Sequence, residues 1–292
     1  MSPGCVSLNT YLRRRFGERV QKVPLDAGLT CPNRDGTKGR AGCIYCDARG
    51  SGTGAAREGL GVAAQMRRGM ERARRRYGAR RFIAYFQSFS NTYAPPARLE
   101  ALYREALVGP EVVGLSIGTR PDCVDAERLS LVRRVAAGRM AWMEYGLQSA
   151  SDATLARIGR GHTVADFVRA VELSRRFGLP VCTHVIFGLP GEGPAEMEAT
   201  VRLLAELRVE GVKFHQLYVL EGTALARDLA AGAYRPISRE AYVAAVRRAL
   251  ELLPPATVVQ RLWADPPRAG LLAPAWSLDR AGLRAELAAG LA

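Results

Sequence analysis

Residues 31–46 read CPNRDGTKGRAGCIYC. Three cysteines, Cys31, Cys43 and Cys46, stand in a polar, Gly-rich loop; eleven residues separate the first from a C-x2-C pair. The other cysteines, at 5, 123 and 182, do not form the pattern of a secreted disulfide framework, and a chain of 292 residues is too large to need one. In a reducing cytoplasm, clustered thiols bind metal. Spacing alone leaves two metals open. Structural zinc usually draws on two Cys/His pairs, and here there is one pair and no nearby histidine. A 4Fe–4S cubane needs one ligand per iron, so three thiolates leave one iron open to chelate a substrate or cofactor.

Further polar residues fall on otherwise apolar strand patterns: Glu144 with Gln148, Lys213 with His215, and Ser116 with Arg120. Positions two or four apart on a strand share a face. Buried parallel strands should read as nearly continuous apolar runs. Polar residues near their C-terminal ends therefore predict a barrel mouth that holds a ligand.

The elements needed to position these residues follow from the apolar runs. Strands are expected at 20–26, 82–87, 112–118, 140–147, 181–187 and 212–220. Amphipathic helices are expected at 97–107, 123–137, 164–177 and 194–209. From the second strand on, strand centres about 30–40 residues apart match one βα unit each, and the cysteine loop lengthens the first. Six units in series predict an α/β fold, a partial (βα)6 TIM-like barrel of parallel strands with a C-terminal extension. The core is expected over 1–235, with a short N-terminal extension, and the C-terminal extension over 236–292, packed on the barrel. Within the latter, 257–263 reads as a further strand, 266–276 as a Pro-punctuated wrap, and the end as a short helix. The cysteine loop follows the first strand and so sits at the mouth.

Formal net charge is +14, and 48% of residues are hydrophobic, enough for a large core. No apolar run approaches the length of a membrane span, and the N-terminus lacks the apolar stretch of a secretory signal. A cytoplasmic protein without a membrane partner is expected. The positive charge favours a polyanionic partner such as RNA. Only Lys22, Lys38 and Lys213 of the 42 basic residues are lysine, a usage that GC-rich coding also produces. The densest run, RRGMERARRRYGARR (67–81), reads as a solvated helix face or an RNA-binding stripe.

The cysteine loop, with Tyr45 directly before Cys46, resembles the radical S-adenosylmethionine (SAM) superfamily. The usual spacing there is C-x3-C-x2-C; this chain has the longer gap. Further matches are LDAGLTCPNRDG (25–36), YFQSFSNTYAP (85–95), IGTRPDC (117–123), EYGLQS (144–149), GRGHT (159–163), HVIFGLPGE (184–192) and KFHQLYVLEGT (213–223). Together they look like the YhcC/YtqA-type radical SAM family, similar to the radical SAM subunit of Elongator and to oxygen-independent coproporphyrinogen oxidase.

The resemblance implies a 4Fe–4S cluster on Cys31, Cys43 and Cys46, with SAM bound to the open iron through its amino and carboxylate groups. One-electron reduction, from a donor such as flavodoxin or ferredoxin, would cleave the sulfonium. The resulting 5′-deoxyadenosyl radical would abstract a hydrogen atom. Tyr45 matches the aromatic near the adenine. Where relatives carry a GGE-like motif for the SAM amino group, this chain has Gln87, Asn91 and Thr92 within QSFSNT. Gln148 and Arg160, twelve apart, match a Gln and an Arg that approach SAM; an Arg suits its carboxylate. Gly188, in GLPGE, matches backbone bordering the adenine. His184 stands where relatives can have Asp and would contact SAM or substrate.

His162, His215 and Glu144 are weaker candidates for facing substrate or tuning the cluster, and Cys123 and Cys182 read as buried thiols. The function expected is radical SAM modification of an RNA base, most simply in tRNA. One alternative is a radical SAM enzyme acting on a tetrapyrrole or other small molecule. Another is a non-catalytic, metal-stabilised RNA-binding protein.

Overall fold

The computed structural model describes residues 5–50, 52 and 54–289. The chain opens with β1 (Val6–Ser7) and α1 (Leu8–Phe16), whose N-terminus is capped by the Ser7 hydroxyl accepting from the Thr10 amide at 3.0 Å. Next come β2 (Val20–Leu25), α2 (Val62–Tyr77), β3 (Arg81–Phe86), α3 (Pro96–Glu105), β4 (Val112–Thr119), α4 (Ala126–Val135) and β5 (Met140–Gln148). The second half runs α5 (Asp152–Arg157), α6 (Val164–Arg176), β6 (Val181–Phe187), α7 (Pro194–Glu206), β7 (Gly211–Gln216), β8 (Val219–Leu220), α8 (Ala224–Ala230), α9 (Arg239–Leu252), β9 (Val258–Arg261), β10 (Leu271–Ala273) and α10 (Arg280–Ala289).

Eight strands form one sheet in the order β1-β9-β7-β6-β5-β4-β3-β2, and every neighbouring pair is parallel. β1 and β2 are its two edges and do not pair with each other. The sheet is curled into an open barrel. Lys22 on the edge strand β2 donates to Gln260 Oε1 on β9, near the opposite edge, at 2.6 Å. A flat sheet would hold those strands more than 20 Å apart, given about 4.8 Å per strand.

Alternation along the strands separates the two faces. Phe82, Ala84 and Phe86 of β3, Leu115 and Ile117 of β4, and Ala141, Met143, Tyr145 and Leu147 of β5 pack outward against the helices in the main core. The residues between them point inward and form layers. At the N-terminal end, Ile83, Val113, Trp142, Cys182 and Val258 make an apolar cluster with Leu12, Leu8 and Tyr11 of α1. Tyr11 meets Trp142 edge-on, with ring centroids 5.9 Å apart. Thus α1, which links the two sheet edges, plugs the barrel floor. Above it lies an ionic layer, and above that the mouth.

All six expected strands are present. β9 is the further strand expected near 257–263, and it lies in the sheet beside β7. The 212–220 pattern divides at Gln216. There the side-chain amide is bound to Ala264 in both directions, donating to its carbonyl at 3.0 Å and accepting from its amide at 2.8 Å. The chain leaves the sheet, and β8 pairs antiparallel with β10 instead. Neither β1 nor α1 was expected; two residues are too few to carry a periodic pattern.

Candidate active site

The mouth holds a cavity of about 250 Å³. The cysteine loop supplies one wall, with Cys31, Cys43, Cys46 and Tyr45. The strand ends supply the rest: Tyr85 on β3 with Gln87 just after it, Gly118 on β4 with Arg120 just after it, Glu144, Gly146 and Gln148 on β5, His184 and Ile186 on β6, His215 on β7 and Arg261 on β9. Gln148 has φ +76° and Phe89, also in the wall, has φ +59°. Side chains seldom adopt this left-handed region, and strain of this kind concentrates at functional sites.

The loop is held by its own hydrogen bonds. The Cys46 amide donates to the Cys43 carbonyl at 2.9 Å, and the Ile44 amide to the Ile158 carbonyl at 3.1 Å. Asn33 Nδ2 donates to the Gly159 carbonyl at 2.7 Å and to the Arg160 carbonyl at 3.0 Å, tying the loop to the GRGHT segment. Arg34 donates to the carbonyls of Cys46 and Asp47 at 2.9 and 2.7 Å.

Arg160 is buried, and its guanidinium donates to Cys43 Sγ at 3.6 Å, to the Gly146 carbonyl at 2.6 Å and to His162 Nε2 at 3.1 Å. Gly146 makes room for this. A Cβ there would lie 2.5 Å from Gln148 Nε2 and 3.0 Å from Arg160 Nη2. Burial pushes the Cys43 thiol up, but the charge and hydrogen bond of Arg160, with help from Arg120 and Asn33, outweigh it and the thiol falls below its usual value. Burial pushes the Cys46 thiol up to about 11, and the charge on Cys43 adds to that. A cation that draws the first thiolate and leaves the second for a metal to neutralise suits a ligand set. Burial, with the charge on Arg160, keeps His162 neutral, at about 3.

The donor set suits a multi-metal group better than one ion. Tetrahedral zinc brings its thiolates to about 3.8 Å from one another, from Zn–S bonds of about 2.3 Å. Among the described residues, Cys31, Cys43 and Cys46 line one cavity yet do not gather within 4.8 Å of one another. Three polar atoms in this wall are also sealed from solvent without a partner: Tyr45 Oη, Ser90 Oγ and His215 Nε2. Buried polar groups normally have partners, so the wall fits a polar ligand.

Beneath the mouth lies the ionic layer. Glu144, fully buried, accepts from Lys22, Lys213 and Ser116, and from His184 Nε2 at 2.8 Å. Lys22 also reaches Ser116 Oγ at 3.1 Å. Both ammonium groups face the Tyr85 ring, Lys213 at 4.0 Å and Lys22 at 4.9 Å from its centroid. Burial opposes charge on Glu144, but the two lysines and His184 outweigh it and hold the carboxyl well below its usual range. Burial, reinforced by Lys213, lowers His184 to about 4, so the imidazole is neutral and donates. Burial also lowers Lys213, to about 8.

Of the residues expected to bind cluster or SAM, the cavity brings together Cys31, Cys43, Cys46, Tyr45, Gln87, Gln148, Arg160 and His184. Three do not line it. Asn91 donates to the Gly118 carbonyl at 2.7 Å, and Thr92 bonds Thr119 Oγ1 at 2.7 Å and the Cys123 carbonyl at 2.6 Å. Both brace the β3–α3 turn. Gly188 lines a different cavity beside Ile237, and its carbonyl is taken by Tyr234 Oη at 2.9 Å. Lys22, Tyr85 and Arg261 were not singled out as site residues. One signal was available for the first: of the three lysines in this Arg-rich chain, Lys22 and Lys213 both enter the barrel interior, where a compact ammonium can share one carboxylate.

A curled parallel sheet with three thiols over its C-terminal mouth defines a class, and comparison with known proteins agrees. The Radical SAM superfamily model matches residues 31–204, and the Radical_SAM C-terminal domain model matches 209–291. The chain belongs to the radical SAM superfamily and is a radical SAM enzyme. It is 39% identical over 270 residues to Protein YhcC of Escherichia coli (strain K12), covering 92% of this chain and 86% of that protein. It is 33% identical over 159 residues to a tRNA uridine(34) acetyltransferase of Dehalococcoides mccartyi, covering 53% of this chain and 34% of that one. The fold resembles the archaeal Methanocaldococcus infernus Elp3 with a TM-score of 0.70 at 19% identity, covering 87% of this chain and 58% of that one. The alternative of a non-catalytic RNA-binding protein gives way to this membership. Among the described residues no helix is long and apolar enough to cross a membrane.

Proposed function

We propose that Cys31, Cys43 and Cys46 hold a 4Fe–4S cluster, that SAM lies in the cavity beside it, and that the enzyme modifies an RNA base, most simply in tRNA. The observation that carries this reading is the cavity ringed by the three thiols, with Arg160 on one sulfur and unpartnered polar atoms in its lining. Such a pair of cofactors supplies, on one-electron reduction, a 5′-deoxyadenosyl radical that abstracts a hydrogen atom. The protein's part is to hold and orient. Arg160 and Asn33 direct N–H groups at Cys43 Sγ; the Asn33 amide is 3.6 Å away. Gln87, Gln148 and Tyr45 line the space for SAM, and the buried Glu144 layer closes it from below. An external electron donor such as flavodoxin or ferredoxin, and a cytoplasmic setting, belong to the same reading.

The deciding experiment is anaerobic reconstitution followed by dithionite and SAM. Wild-type protein is expected to release 5′-deoxyadenosine. Arg160→Ala removes the donor to Cys43 and is expected to lower that rate about 10- to 100-fold, the usual effect of removing a ligand's hydrogen-bond partner. A SAM titration separates two roles for the arginine. If affinity is unchanged while the rate falls, Arg160 serves the thiolate and not the SAM carboxylate.

Support for RNA comes from the name of the acetyltransferase relative and from the net charge of +14. The arginine run on α2 does not add to it. α2 carries the chain from the mouth to the start of β3, so Arg72 lies about 15 Å down the helix at 1.5 Å per residue. Arg72 and Arg76 flank Gln21 and Lys22, near the start of β2 and away from the cysteines. Arg74 pairs with Glu111 at 2.7 Å and Arg75 with Glu71 at 3.1 Å. Exposed arginines nearer the mouth are Arg40 and Arg49 in the cysteine loop and Arg268 after β9.

Filter binding of bulk tRNA over a salt series tests this. Replacing Arg72, Arg74, Arg75 and Arg76 by Ser is expected to change affinity by no more than about twofold. Replacing Arg40, Arg49 and Arg268 by Ser should weaken binding and reduce the salt slope by about 2–3, roughly one for each lost phosphate contact. Weak, equal binding by all three proteins would favour the second reading, a small-molecule substrate. The distance of the α2 stripe from the mouth is the observation on that side.

A further inference from the structure

We propose that the inner part of the cavity, against β7 and β9, is an oxyanion site in which Arg261 and His215 hold the carboxylate or phosphate group of a small second substrate. The inference deepens the reading above and rests on it only in leaving the cysteine side of the cavity to SAM.

The argument begins with charge. Arg261 lines the cavity and is half-buried. Among the described residues, its guanidinium has no hydrogen-bond or ion-pair partner. Two carboxylates face the same space. Glu144 is already shared by Lys22, Lys213, Ser116 and His184. Asp265 pairs with Arg280 at 2.8 Å. With Glu144 shared by the two lysines beneath the cavity and Asp265 paired to Arg280, Arg261 has no carboxylate of its own, and its positive charge faces the cavity uncompensated. Buried charges are normally paired, so an excess of one sign lining a cavity calls for a ligand of the other.

The hydrogen-bonding groups point the same way. His215 stacks on His184 with centroids 5.4 Å apart, and its Nε2 is sealed from solvent with no partner. Burial, together with Arg261 and the neighbouring His184, keeps this imidazole neutral. In the tautomer protonated at Nε2 it donates to an oxyanion without adding repulsion. The nearby Gln216 amide is bound at both ends by Ala264 and cannot compete. A guanidinium fork beside one neutral donor suits carboxylate or phosphate oxygens. It offers nothing to a cation.

The test is calorimetric titration of the anaerobically reconstituted full-length protein with inorganic phosphate and, separately, with succinate, in the presence and absence of SAM. One probe is expected to bind saturably at one per chain; phosphate indicates a phosphorylated substrate, succinate a carboxylic acid. Arg261→Gln should weaken that probe about tenfold or more, the cost of losing a charge-assisted hydrogen bond. Arg261→Lys should retain part of the affinity, and SAM affinity should stay within about twofold of wild type in both, since SAM lies elsewhere in the cavity. His215→Gln gives an independent variant if Arg261→Gln folds poorly, and is expected to weaken the same probe. The proposal is overturned if neither probe binds, if both variants bind as wild type does, or if Arg261→Gln loses SAM and probe in parallel. Probe binding needs neither electron nor radical. A wild-type protein that binds the probe but releases no 5′-deoxyadenosine would therefore count against the radical reading and leave this site standing.

Discussion

Replacing Cys31, Cys43 and Cys46 together by Ala is expected to abolish the visible absorbance of the anaerobically reconstituted protein and, with it, all release of 5′-deoxyadenosine. These thiols ring one cavity, and the charged donors Arg160 and Arg34 approach the C-x2-C pair. The other three cysteines differ in kind. Cys182 lies in the apolar floor with Trp142 and Leu12, and burial pushes its thiol up to about 12. Burial, with Asp122 beside it, pushes Cys123 up to about 12 as well, and burial raises Cys5. Metals bind the thiolate, so thiols held neutral are poor ligands. Replacing Cys5, Cys123 and Cys182 by Ala should leave the chromophore intact. One zinc per chain with no iron, after careful anaerobic preparation, would falsify the cluster assignment. The loss expected of the triple variant is complete, because no further cysteine is placed to substitute.

Glu144→Gln should be the most destabilising single substitution in the barrel interior. The carboxylate is fully buried and holds two ammonium groups, one from each side of the open barrel. Removing its charge leaves Lys22 and Lys213, both close to the Tyr85 ring, without a counter-ion. Breaking a buried ion pair from one side costs about 3–5 kcal/mol. For a chain of this size that lowers the melting temperature by roughly 10 °C. The triple change Glu144→Gln, Lys22→Met and Lys213→Met should recover much of the loss, since replacing a whole buried ionic group by apolar side chains is often close to neutral.

The pH dependence has a definite sign. Glu144 is held well below its usual value of 4.5, so its stabilisation is present above that value and is lost as pH falls toward the folded-state value. Thermal melts from pH 7 down to pH 3 should fall more steeply below about 4.5 for wild type than for Glu144→Gln. Parallel curves would show that the carboxylate contributes nothing through its charge.

The strand series was legible as short apolar runs, because strands of a parallel sheet covered on both faces read as nearly continuous hydrophobic stretches. Phe82, Ala84 and Phe86 pack against the helices while Ile83 and Tyr85 between them face the barrel interior. The same alternation put Glu144 with Gln148 and Ser116 with Arg120 on inward faces. The three cysteines proposed to hold the cluster stood out by residue type and spacing, because few chemistries use three thiols in a polar loop.

Local patterns do not carry which inward faces meet. Lys22 and Gln260 are 238 positions apart and touch because the sheet curls until its edges approach. Arg160 stood out in the sequence by its spacing from Gln148, but that its guanidinium reaches Cys43 Sγ follows only because Asn33 ties the cysteine loop to residues 159–160. The arginines of α2 have a dense charge in sequence, but the direction of a βα crossover carries them away from the mouth. Sequence by itself determined the class of fold, the grouping of three thiols in one loop and the inward-facing polar residues, since each depends on neighbours within one strand or loop. Only the tertiary structure decided that Glu144 is shared by lysines from two distant strands and that Arg261 faces the cavity unpaired, because both follow from the curl of the open sheet.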